Sequence, residues 1–257
     1  MVDLNLGHFK NVIKELPQEF IISGNKRWEE GRSIYEFWIE EYAGVNSETG
    51  KSQWYYDIPE TDANGNPIYD NMGNPVYKKE KGITDSHTQA DRYYAGSSIP
   101  DLFGGLNNTF SFYGFDLSVL VTFAIGGKVF DHPYQMLMHS GQYGYNFHTD
   151  IKERWSSENM NTNIPVVNGD QFANWRSTRF LADADYLKIR NISLGYQIPG
   201  AVASRLNLKR IMLNLKADNL MLVTSRKGLV PMQSFDGYVE PQYVPVRTIS
   251  IGFDVYF

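Results

Sequence analysis

The sequence predicts an all-β protein: an antiparallel transmembrane β-barrel segment of about six strands with long outer loops. Three observations predict it. Apolar and polar residues alternate over several stretches of about ten residues, the period of a strand with one oily face. Aromatic residues reach 14%, with 17 Tyr, 15 Phe and 5 Trp, an enrichment that suits strands and the interfacial girdles of membrane barrels. Long and short spacers also take turns along the chain, as outer loops and periplasmic turns do in such barrels.

The last strand carries the clearest pattern. From Arg247 the chain reads RTISIGFDVYF, with Ile249, Ile251, Phe253, Val255 and Phe257 on one face. Thr248, Ser250, Gly252, Asp254 and Tyr256 lie on the other. Ten residues of strand reach roughly 33 Å, or about 25 Å of depth at a tilt near 40°. That span matches the apolar band of an outer membrane and leaves Arg247 at its edge.

Residues 102–113 and 115–126 form a hairpin about Tyr113-Gly114. Phe110 and Phe112 precede the turn; Phe115, Leu117, Val119, Val121, Phe123 and Ile125 follow it on one face. Strands are also expected at about 185–198 and 209–222, the second with Ile211, Leu213, Leu215 and Ala217 in line. In the first, Leu187 and Ile189 are odd while Ile192, Leu194 and Tyr196 are even, so a bulge is expected near Arg190-Asn191. An opening strand at about 2–13 and the closing strand at 245–257 complete the six. Segments 14–101, 127–184 and 223–244 then fall together on the outer side, with the C-terminus periplasmic.

The first long spacer repeats itself, DANGNPIY at 62–69 and DNMGNPVY at 70–77. Each Gly-Asn-Pro is a turn signal, so a small β-ribbon is expected. Residues 31–42 look strand-like, but Glu36, Glu40 and Glu41 keep them out of the membrane. Residues 131–140 are expected to include a short helix.

Composition narrows the chemistry. Charged residues are 21% and hydrophobic ones 42%, which excludes disorder over the whole length. A formal charge of −5 gives no basic face for nucleic acid. Without cysteine there is no disulfide, thiolate zinc site or cysteine nucleophile. No stretch is apolar enough for a membrane helix, which leaves barrel strands open. The start has no basic and apolar leader, so a chain acting outside the cytoplasm is expected to be a piece of a longer protein.

Candidate sites follow. His132, His139 and His148 with Asp131 and Asp150 match no metal-ligand spacing, and Asp62, Asn64, Asn66, Asp70 and Asn71 lack the spacing and closing Glu of a calcium loop. Paired carboxylates such as Glu36, Glu40 and Glu41 could suggest glycosidase chemistry, but no elbow, phosphate loop or triad appears. No catalytic residue, metal or cofactor is therefore expected. The loop aromatics Tyr134, Tyr143, Tyr145, Phe147, Trp155 and Trp175 are the candidate solute contacts, because flat rings stack on sugars at small entropic cost. Lys188 and Arg190 are expected to face the lumen.

The chain also resembles the C-terminal part of the SusC/RagA family of TonB-linked outer-membrane transporters of Bacteroidota. The resemblance is carried by GRSIYEFWIEEYAGVNSETG (31–50), GSSIPDLFGGLNNTFSFYGFDLSVLVTFAIGGKVFD (96–131), STRFLADADYLKIRNISLGYQIP (177–199), ADNL (217–220) and YVPVRTISIGFDVYF (243–257). The ending SIGFDVYF is similar to a barrel-assembly signal, with Ser250, Gly252, Val255 and Phe257 at alternating places; Val255 stands where an aromatic is usual. The resemblance implies a barrel of about 22 strands in the outer membrane, contacting its lipid. It also implies a SusD-like lipoprotein lid, energy from the TonB complex through an N-terminal part not present here, and import of oligosaccharides or peptides. Six strands alone leave two long edges, so this piece alone is expected not to transport. The competing expectations are a soluble β-sandwich carbohydrate-binding module, which would bury Phe253, Val121 and Leu213 in one interior, and a secreted glycan hydrolase.

Overall fold

The computed structural model describes residues 1–257. Contacts divide them into two units: Met1–Lys10, Ser98–Val129 and Asp183–Phe257 in the first, Asn11–Ser97 and Phe130–Ala182 in the second.

The first unit is built on a six-stranded sheet whose order is its chain order. Its strands are β1 (Val2–Gly7), β2 (Leu102–Phe112), β3 (Phe115–Ile125), β4 (Tyr186–Gln197), β5 (Arg210–Thr224) and β6 (Thr248–Tyr256). Every neighbouring pair is antiparallel. The β2–β3 turn is tight, with Tyr113 at φ 47° and Gly114 at φ 85°; two positive φ values give a turn whose twist matches the strands it joins. The β4–β5 connection contains a short helix, α1 (Gly200–Arg205).

Register aligns like with like. Phe110, Leu117, Leu194, Leu215 and Ile251 form one row across five strands, and Phe112, Phe115, Tyr196, Leu213 and Phe253 form the next. The residues between them, such as Thr109, Ser118, Ser193, Lys216 and Ser250, make the opposite face polar. No layer covers the apolar face: Ile251 is 73% exposed and Phe253 66%.

The parity switch in β4 is a bulge. Register shifts between Leu120 and Val121 against β3, and between Ile189 and Asn191 against β5, so Arg190 is the inserted residue. β5 carries a further extra residue there: Asp218 and Met221 flank two unpaired positions, one of them Asn219 at φ 52°.

The opening strand is shorter than the expected 2–13 and ends at Gly7. Beyond it the backbone pairs elsewhere, because Asn11 Oδ1 accepts from Ser33 Oγ (3.1 Å) and Ile34 N (3.0 Å), and Ile13 N donates to Arg32 O.

The segment after β5 folds back on the sheet. Ser225 Oγ donates to Asp183 O (2.7 Å), Ser98 Oγ to Phe235 O (3.0 Å), and Phe9 meets Phe235 edge to face at 5.8 Å. Its Met232 and Pro245 border a cavity with Thr122 and Lys188 of the polar face.

The second unit has short strands and a buried core. Phe20–Ser23, Lys26–Glu29, Glu36–Glu40 and Arg92–Ser97 make one sheet; Tyr42–Val45, Ser52–Pro59 and Tyr77–Thr84 make another. Phe37, Ile39, Trp54, Phe130, Met138 and Phe180 are all buried, Phe37 wholly. Several polar groups brought inside find partners, which offsets the cost of burying them: Asp170 accepts from Ser52 N (2.8 Å), Arg92 Nε bonds Glu40 (3.1 Å), and Lys26 Nζ donates to Tyr35 O (2.7 Å). The alternation at 31–42 thus serves a core strand, with Phe37 and Ile39 inward.

The octet repeat forms a closed ribbon. Asp62 Oδ1 accepts from Asn64 N and Asn66 N, and Asp70 Oδ1 from Met72 N and Asn74 N in the same way. Ile68 N donates to Glu60 O, Val76 N to Ile68 O, and Glu60 N to Val76 O, each at 2.8–2.9 Å. These oxygens cap backbone amides, the turn role of Asp.

Candidate functional site

The six aromatic candidates all belong to the second unit, on the segment Phe130–Ala182. That segment starts with a short helix, His132–Leu137. Asp131 caps it by accepting from Tyr134 N (2.9 Å), with a proline at its start, both standard devices for a helix N-terminus.

The structure sorts the six into two kinds. Tyr134 is a strut: its Oη donates to Asp150 Oδ2 (3.0 Å), and its ring meets His148 at 4.9 Å and Phe180 at 6.0 Å. Burial, then the bond to Asp150, pushes its phenol up to about 12. Trp155 covers Gly50 and donates from Nε1 to Ser47 O (3.0 Å). Gly50 has φ +73°, and an added Cβ would come within 2.5 Å of the indole, so both backbone and space demand glycine there. Trp175 lies against His87 at 3.9 Å with the rings tilted 33° apart, and Phe172 lies 4.2 Å from the same imidazole.

Tyr143, Tyr145 and Phe147 are different. Tyr143 is 100% exposed, Tyr145 58% and Phe147 37%. They crowd one short loop with a single internal support, His139. Phe147 stacks on that imidazole at 4.2 Å and Tyr145 lies 6.2 Å away. His139 is itself fixed, its Nδ1 accepting from Gly141 N (3.1 Å) and Gln142 N (2.9 Å). This bonding assigns its proton to Nε2.

The other histidines have local partners too, His132 with Gln135 at 3.0 Å and His148 with Asp150 N at 3.2 Å. No group of three or more His, Asp or Glu side chains is placed to hold a metal ion.

Two features escaped the sequence reading. Arg179 lines a cavity of about 330 Å³ with Tyr42, Tyr134 and Asn163. Its guanidinium donates to Ala173 O, while its Nη2 is buried without a partner, and burial lowers its pKa. Nothing local in the sequence marks it, since its surroundings come from residues 42, 134 and 163. The second is the larger cavity under Met232 on the polar face of the sheet.

Of the C-terminal residues, Ser250 pairs with Lys216 and Gly252 with Asn214 on the polar face, and Val255 pairs with Ile211 on the apolar one. Phe257 lies past the strand end and is exposed.

No model of a protein family matches the chain. It is 25% identical over 258 residues to the TonB-dependent receptor P3 of Formosa agariphila, covering 95% of this chain and 24% of that protein. To the TonB-dependent receptor P26 of the same organism it is 27% identical over 251 residues, covering 93% and 24%. The chain thus spans about a quarter of the length of the curated relatives it matches. Among solved structures it is similar to one chain of the RagAB peptide transporter, with a TM-score of 0.74 and 23% identity over 100% of this chain and 27% of that one. The RagAB peptide importer in its open-open state gives a TM-score of 0.72 at 22% identity. These structures show the fold, and the relatives are receptors and transporters. In sequence the chain is similar to a segment of TonB-dependent receptors, and in fold to a segment of a chain of the RagAB peptide transporter.

Proposed function

We propose that this chain forms part of the wall and the outer loops of an outer-membrane importer driven through TonB. It takes up oligosaccharides or peptides together with a SusD-like lipoprotein. One observation carries this reading: a six-stranded antiparallel sheet whose apolar face is uncovered and whose other face is polar. In water such a face would be a liability of several hundred Å²; against hydrocarbon it is the required surface. A soluble sandwich would need a second layer over Ile251 and Phe253, and there is none.

The edges point the same way. β1 bonds only β2 and β6 bonds only β5 within the sheet, and a membrane tolerates no open strand edge. The remaining wall therefore comes from further strands, and the six here do not transport alone. Segments 14–101, 127–184 and 223–244 lie on the outer side in this reading. Tyr143, Tyr145 and Phe147 touch solute, while Tyr134, Trp155 and Trp175 hold the loops that present them.

This segment has no cysteine of its own, so single cysteines can be placed in it once any cysteine elsewhere in the receptor is replaced. In the full-length receptor in lipid vesicles, a fluorophore on Ile251→Cys is quenched by spin-labelled acyl chains and one on Ser250→Cys is not. Equal quenching at both positions, or none at Ile251→Cys, refutes the membrane wall. Replacing Tyr143 and Tyr145 by Ala lowers solute affinity about fivefold per ring lost, from roughly 1 kcal/mol of ring contact each.

A further inference from the structure

The polar face of the sheet holds a cationic site that the wall role leaves unused. Lys188 and Arg190 of β4 border one cavity of about 630 Å³, together with Asn5, Thr122 and Tyr186. Alternation puts them there: Lys188 and Arg190 are two residues apart, on the face opposite Leu187 and Ile189, and the register shifts only at Arg190 itself. Met232, from the segment that folds back after β5, borders the same space. Gly104 and Gly105 are also part of the lining, so that stretch of wall adds no side-chain bulk.

Neither cation has an acidic partner. The nearest carboxylate by register, Asp218, is engaged by Asn191 Nδ2 at 2.8 Å and by Lys216 at 3.8 Å. Two like charges on one wall repel each other. Lys188 is half-buried besides, so its charge has lost part of its water. The chain as a whole is at −5, which makes this local excess of positive charge the opposite of its average. An oxyanion entering the cavity relieves repulsion and replaces lost hydration together, through Arg190's planar fork and Lys188's point charge. Asn5, Thr122 and Tyr186 supply hydrogen-bonding groups for a polar neighbour of that oxyanion. The volume lies within the range of small-molecule sites, roughly 300–1,000 Å³.

We infer that Lys188 and Arg190 form a subsite for a carboxylate carried by the imported solute, on the polar face of the sheet beneath the segment containing Met232. This rests on the import reading, which makes that face the lumen. The carboxylate can come from a uronic acid or from a peptide C-terminus, and the shared chemistry is the same.

The test uses the full-length receptor in detergent and two matched probe pairs. One pair is trigalacturonate and its carboxyl-reduced, neutral trisaccharide; the other is tetra-alanine and its C-terminal amide. Wild type binds the acid of at least one pair more tightly than its neutral partner, and the pair that shows the preference identifies the source. The double variant Lys188→Gln/Arg190→Gln loses about tenfold in affinity for that acid and none for the neutral probe, as expected for two partly screened ion pairs. Lys188→Arg/Arg190→Lys restores most of the preference, which separates charge from fold. Equal affinity for acid and neutral probes in wild type, or a preference that survives the double variant, overturns the subsite. Import itself is read separately, from wild-type uptake of the neutral probes in cells, so either reading can fail without the other.

Discussion

The six-stranded sheet and the body formed by Asn11–Ser97 and Phe130–Ala182 are both antiparallel β-structure, yet they treat apolar side chains in opposite ways. In the sheet, Ile249, Ile251, Phe253 and Leu215 are exposed. In the loop body, Phe37, Ile39, Trp54 and Phe180 lie at or below 1% exposure. The regularity of the sheet fits the membrane wall proposed above, since lipid is a uniform solvent that rewards strict alternation. The body is irregular because it must close a core of its own, where each ring fits one particular gap.

Truncating the core of the loop body is expected to have the largest effect. Phe37→Ala removes a wholly buried ring and destabilises that body by about 3–5 kcal/mol. Proteolysis of that body measures it, while the heat-modifiable mobility of the full-length receptor stays as in wild type. Loss of both together would mean that the two regions are one cooperative unit. Next comes Ile251→Arg, which places a charge on the lipid face and costs roughly 2–4 kcal/mol near the bilayer middle; the same change at Ser250, on the polar face, costs little. Urea titration of folding into vesicles compares the two, and similar values for both would break the contrast of faces. Asp170→Ala leaves the buried Ser52 N without its acceptor and is expected to cost about 1–3 kcal/mol, read as faster hydrogen exchange at Ser52.

The smallest effect is a pH response in the octet ribbon. Hydrogen bonds from Asn66, backbone first and then side chain, hold the Asp62 carboxyl below its ordinary value. A depressed carboxylate adds stability above its unfolded pKa, and that contribution disappears as pH falls through the folded one. The amide signals of Asn64 and Asn66 should therefore titrate below the range of a free aspartate. Titration within that range would mean that the turn does not form in solution.

The same contrast decides what the sequence could reveal. Alternation exposed the sheet directly, down to the bulge at Arg190, because a parity switch between Ile189 and Ile192 has few other physical causes. Strand β1 is expected too long because Phe9, Val12 and Ile13 keep the segment apolar although they no longer alternate, and the bonds of Asn11 to Ser33 and Ile34 that draw it away are not local. The loop body was mostly illegible. Its core joins Phe37 and Trp54 to Phe130, Met138 and Phe180 across long separations, and its short strands are below the length at which a period can be counted. Among the aromatic candidates, chemistry alone could not separate Trp175, packed against His87, from Tyr143, which is fully exposed.

The backbone cycle through Glu60, Ile68 and Val76 implies a rule for how this loop can change length. Each octet enters and leaves the cycle through one donor and one acceptor, so a duplicated octet slots in as a fourth member. Excising one leaves two residues facing each other as a plain reciprocal pair. Growth or shrinkage in steps of eight therefore keeps the pattern closed, whereas any other step breaks the ring, and the loop gains a modular way to vary its reach.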